Sequence, residues 1–192
     1  MKTKNEKLLD QIMGQVKLKN PFENKFNKLL EERVKLLLER APIAELMDAT
    51  AEIARFELEN FSSGPIEYSL ESIPIIDAYI DKHGKKLREK EDDCSLVAVW
   101  FGAFLGRVLI NEFNGAWQHI EDSDWVAHYL FGKVKFDNNL FANPGIRILN
   151  SIEGIPHDNV VAYVNALSQL VQVKNPFNDA DTEGTKENST KK

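Results

Sequence analysis

The amino-acid sequence predicts an α+β fold, mainly helical, with a small three-stranded antiparallel meander between a central helix and two C-terminal helices. Three observations carry this. Apolar residues recur at helical spacing in successive segments up to about residue 113. From Ala116 to Phe136 the period changes to alternating, β-rich patterning. Helical spacing then returns from Ile146 to Gln172. The 192 residues suit one domain with one sizeable core, set here at residues 1–173. Residues 1–20 are read as a peripheral docking helix and 174–192 as a polar tail expected to be disordered.

The first segment, Glu6 to Lys17, spaces Leu8, Leu9, Ile12, Met13 and Val16 as a helix too short to be stable unless it docks. Asn20-Pro21 breaks it. The next helix, about Pro21 to Arg40, turns Phe22, Phe26, Leu29, Leu30, Val34, Leu37 and Leu38 inward, with Glu31, Glu32, Arg33, Lys35, Glu39 and Arg40 as a solvated face. Pro42 suits the first turn of a third helix running to about Asn60. There Ile43, Leu46, Met47, Ile53 and Ala54 are buried, and Glu45, Asp48, Glu52, Glu57 and Glu59 line the outside. Ser62-Ser63-Gly64-Pro65 is a loop. A fourth helix starts near Ser69, tolerates Pro74 in its first turns, uses Leu70, Ile73, Ile76, Ala78, Tyr79 and Ile80 as its apolar side, and ends at a Gly84 C-cap.

Lys85 to Asp93 is a charge run, read as an exposed helix start whose Asp92 and Asp93 meet the positive end of the central helix dipole. That helix dominates the stretch Cys94–Gln118, the most apolar in the chain. Gly102 and Gly106 lie four apart on one of its faces. Each internal glycine costs a helix roughly 1 kcal/mol against alanine. Close backbone approach, by another helix or by the strand carrying Trp117, would justify that cost. Asn114-Gly115 turns the chain into the sheet, whose strands are read at Trp117–Ile120, Trp125–Phe131 and Lys133–Phe136. Asn143-Pro144-Gly145 starts a short helix that Gly154 stops, and His157-Asp158 caps a last helix from Asn159 to Gln172.

Charge and cysteine content narrow the function classes. A formal net charge of −6 and a pI near 5.3 argue against a nucleic-acid partner, which needs a basic footprint. The charge is uneven: residues 1–41 hold 10 Lys/Arg and 6 Asp/Glu, and residues 42–93 hold 6 and 13. This implies that the N-terminal segment lies against the acidic middle of its own or another chain. The lone Cys94 permits no intrachain disulfide and is read as a small buried side chain. No apolar signal region opens the sequence, and the longest uncharged apolar run, Leu96 to Gly106, falls short of the roughly 20 residues of a bilayer span. A cytoplasmic protein with no membrane partner is expected.

Within residues 73–170, Gly102-Ala103-Phe104-Leu105-Gly106, then Asn114-Gly115-Ala116-Trp117, Asn143-Pro144 and Asn150 to Gly154 occur in fixed order. This order resembles bacterial protein families of uncharacterised activity. Their core helix reads Gly-Ala-aromatic-Leu-Gly and is followed by a Gly-x-Trp turn and an Asn-Pro. The resemblance implies the α+β layout and no catalytic residue. Some such proteins are suspected of toxin–immunity or other interaction roles. Many relatives carry an acid directly after the second glycine, where this chain has Arg107.

No nucleophile elbow, Cys/His pair, phosphate loop or dinucleotide fingerprint is present. No cofactor and no metal is therefore expected, and the chain is read as non-enzymatic. Arg107 and Glu112, five apart on the central helix, are read as lying at its margin in water. The leading expectation is a protein-interaction role, immunity-like or adaptor-like. Its surface would be the aromatic strands and acidic turn: Trp125, Tyr129 and Phe131 with Asp122 and Asp124. Gly102, Gly106, Gly115, Trp117 and Pro144 are assigned structural roles. Two rivals stand: a small hydrolase or metal-dependent enzyme using His119, His128 and nearby carboxylates, and self-association through the basic N-terminal helices. The partner would then be another protein or a second copy.

Overall fold

In the computed structural model of the chain, residues 21–118, 132–155 and 159–172 are described. Six α-helices and three short strands are found there. In chain order these are α1 (Pro21–Leu38), α2 (Ile43–Ser62), a 3-10 turn (Leu70–Ser72), α3 (Ile73–Arg88) and α4 (Glu91–Phe113). Then follow β1 (Ala116–Gln118), β2 (Lys133–Lys135), β3 (Phe141–Ala142), α5 (Pro144–Glu153) and α6 (Val160–Gln172). The α+β class, mainly helical, with one three-stranded antiparallel sheet between the central helix and the two closing helices, is what the chain adopts.

α4 is the axis. Thirteen of its 23 residues are buried, from Cys94 to Leu109, and those from Val97 onward run round the whole circumference. A helix apolar on every side must be covered on every side. α2 and α5 make its most extensive contacts, and α3 and the sheet make smaller ones. Phe101, Phe104, Leu105 and Leu109 are fully buried, each contributing roughly 1.5–3 kcal/mol by leaving water. Taken over its full length, α4 is long and apolar enough to cross a membrane by length and composition, which corrects the shorter estimate from its uncharged run alone. In this fold 72% of its most apolar window is buried by neighbouring elements. Glu91, Asp92 and Asp93 occupy its first turn, where the exposed N–H dipoles favour negative charge. Asn114 closes it in the left-handed conformation, φ 53°.

The two α4 glycines meet different neighbours. A Cβ on Gly102 would collide with Gly145 of α5 and stand 2.7 Å from its nitrogen. A Cβ on Gly106 would enter the indole of Trp117, 2.6 Å from Cζ2. So one glycine admits a helix backbone and the other a ring carried on β1. Gly115 is hemmed in by Val134 and Phe136. Pro144 fills the first turn of α5, where its missing N–H costs nothing.

The sheet has the order β1-β2-β3. Trp117 opposes Val134, and Val134 opposes Ala142, so these three share the inner face. Val134 and Ala142 are fully buried, whereas Lys135 and Phe141, paired on the outer face, are exposed. This alternation is the period of two expected of a half-covered sheet. The meander is built differently from the sequence reading. Its third strand is Phe141–Ala142, which is too short to leave an alternating pattern, and β1 pairs directly with β2. The expected strand at Trp125–Phe131 lies outside the described residues, as do the helix at Glu6–Lys17 and the tail.

Several boundaries and faces need correction. Gly84 is not a C-cap but a buried position inside α3, four residues before its end. The helix continues because Lys85, Lys86 and Arg88 suit a C-terminal turn. Arg88 Nη1 also donates to the Ile152 carbonyl at 2.6 Å. The charge run is therefore split between the end of α3 and the start of α4. His83, read as a helix end, lies within α3 with its ring 4.7 Å from that of Tyr79 and 5.8 Å from that of Phe61. Leu38 and Ala78, assigned to apolar faces, are exposed. Arg33, assigned to a solvated face, is buried and donates from Nε to Thr50 Oγ1 at 2.8 Å. Burial in apolar surroundings lowers its guanidinium to about 10. His157-Asp158, the expected cap of α6, is outside the described residues. The described N-terminus of α6 is held by the Asp77 carboxylate of α3, which accepts from Val160 and Val161 N–H at 2.9 and 3.0 Å.

Candidate functional site

A cleft of about 390 Å³ opens between α1, α2, the loop before the 3-10 turn and α4. On α2, Glu45, Asp48, Ala49 and Glu52 follow the i, i+3, i+4, i+7 rule and form one stripe along the cleft. α1 faces it with Glu32 and Leu36, one turn apart. Tyr68 and Arg107 close the far side. Ala51, also in the lining, belongs with Ile43, Met47 and Ala103 to a small second core on which Tyr68 and Trp117 pack. Small side chains at Ala49 and Ala51 leave room where larger ones would fill the space.

The lining carries four carboxylates against one guanidinium, a formal sum of −3. Two of the four are committed. Asp48 Oδ2 pairs with Arg107 Nη1, and this hydrogen-bonded pair raises Arg107 against the opposing effect of burial. The Arg107 guanidinium also lies 5.9 Å from the Tyr68 ring centroid. Glu52 Oε2 accepts from Arg55 Nε at 3.2 Å and Nη2 at 2.5 Å, and Arg55 Nη1 reaches Glu59 at 3.0 Å. Tyr68 donates its hydroxyl to Glu52 Oε1 at 2.9 Å. Burial pushes Glu52 up, but the bonds from Arg55 and Tyr68 outweigh it and hold its carboxyl below the ordinary value. Burial, with Glu52 close by, pushes the Tyr68 hydroxyl well above its usual range, so it stays a neutral donor.

The other two carboxylates, Glu32 and Glu45, are exposed and have no ion-pair partner among the described residues. Asp48 Oδ1 and Arg107 Nε are buried with no hydrogen-bond partner among the described residues. The Asp48–Arg107 contact is end-on and leaves one acceptor and one donor over. What the cleft offers is a concave surface with surplus negative charge, an aliphatic strip and an aromatic wall.

The sequence-derived surface at Asp122, Asp124, Trp125, Tyr129 and Phe131 lies outside the described residues, and so do His119 and His128. The structure brings together a different set. Asp48 and Glu52, read as outer-face charges, line the cleft. Arg107, read as lying free in water at the helix margin, is an ion-pair member half shielded by Asp48 and Tyr68. Glu112 is exposed. One signal pointed here: a lone cation interrupting an otherwise apolar helix needs a counter-charge, and residues 42–93 hold the surplus acids.

Among the described residues no group of three or more His, Cys, Asp or Glu side chains could hold a metal. Cys94 is buried, and burial together with Glu153 raises its thiol, away from the reactive thiolate. The cleft contains acids but no nucleophile set against a base. The chain matches no family model, no curated protein and no solved structure.

Proposed function

We propose that the protein is a cytoplasmic, non-enzymatic interaction protein, immunity-like or adaptor-like, that receives a basic segment of a partner protein in the acidic cleft. The observation supporting this most strongly is the pair Glu32 and Glu45. They stand on two different helices, line the same concavity and lack internal counter-charges among the described residues. The net charge of the chain has the same sign, so a basic partner is steered towards it and an acidic one away. Nucleic acid and membrane surfaces, both anionic, are unfavourable partners for such a face. The aromatic segment Trp125, Tyr129 and Phe131 with Asp122 and Asp124 belongs to the proposal as a second contact region.

The test is a titration of the full chain with a labelled 12-residue lysine–arginine peptide, for wild type and the Glu32→Gln/Glu45→Gln variant. Each exposed pair is worth roughly 0.2–1 kcal/mol, so the double variant should bind about 2- to 30-fold more weakly. Binding should also weaken from 0.05 to 0.5 M salt as screening shortens. Unchanged affinity in the double variant would remove the cleft as the surface. A loss caused only by Trp125→Ala would move it to the aromatic segment.

A further inference from the structure

We draw no further inference here: the strongest candidate, the exposed and uncharged face of α6 formed by Ala162, Asn165, Ala166, Gln169 and Leu170, is an unpartnered helix face, and nothing in the structure shows what covers it.

Discussion

Gly102→Ala adds one methyl group where α4 crosses α5, and the structure fixes the sign of its effect. The new Cβ would collide with the Gly145 backbone and stand 2.7 Å from its nitrogen and 3.3 Å from the Pro144 carbonyl carbon. Ordinary contact begins near 3.4 Å, and the obstructing atoms are helix backbone, so α4 and α5 must separate. Overpacking of this kind costs about 1–3 kcal/mol, and rigid backbone argues for the upper end. Alanine recovers roughly 1 kcal/mol of helix propensity, which leaves a net loss of about 2 kcal/mol. For a chain of this length that lowers the melting temperature by roughly 4–8 °C.

Gly84→Ala is the internal control. Gly84 is also a buried helical glycine, but its Cβ would meet Arg88 Nη1 and Ile80 Cγ2 at 3.5 Å, ordinary contact. Without a clash the propensity gain remains, and the variant should be more stable by roughly 0.5–1 kcal/mol. Urea unfolding of both variants beside wild type reads the two effects with opposite signs. A Gly102→Ala protein as stable as Gly84→Ala would refute the claim that backbone contact between α4 and α5 requires glycine.

Other perturbations follow from single contacts. Gly106→Leu drives a side chain into the Trp117 indole, packed there against Gly132 and Met47, and should lower the melting temperature strongly by calorimetry. Asp77→Ala leaves two N–H groups at the start of α6 without their acceptor and should cost about 1–2 kcal/mol in chemical denaturation. Thr50→Val removes the only acceptor recorded for the buried Arg33 among the described residues, for a cost of about 1–3 kcal/mol. Glu52 has a folded-state carboxyl below its ordinary 4.5, so its stabilisation is complete above that pH and is lost as the pH falls through the lower folded value. Glu52→Gln should therefore flatten the acid limb of a stability–pH curve.

Long elements were legible because periodicity accumulates over many turns. The apolar run of α4 identified the axis, and Gly102 and Gly106 marked where something must come close. Period two in Lys133-Val134-Lys135 identified β2, whereas Phe141–Ala142 is too short for any period to register. Gly84 misled because local propensity favours a stop there, and tertiary contacts to α5 extend the helix past it. Arg33 and Asp48 misled for a shared reason. On an amphipathic helix a charge reads as solvated, and whether a neighbouring helix closes over it is decided by packing that is remote in sequence. The cleft combines residues from 32 to 107, so no local spacing could assemble it, although the acidic surplus of residues 42–93 and the isolated Arg107 were both visible.

Where a basic ligand lands decides whether the cleft is the recognition surface. Chemical-shift mapping of the isotopically labelled full chain with the 12-residue lysine–arginine peptide locates it directly. The prediction is perturbation centred on Glu32, Glu45, Asp48, Tyr68 and Arg107, saturating with one affinity and weakened in the Glu32→Gln/Glu45→Gln variant. Shifts confined to any other surface, or none at concentrations where the peptide saturates by calorimetry, would contradict the cleft as the site of recognition.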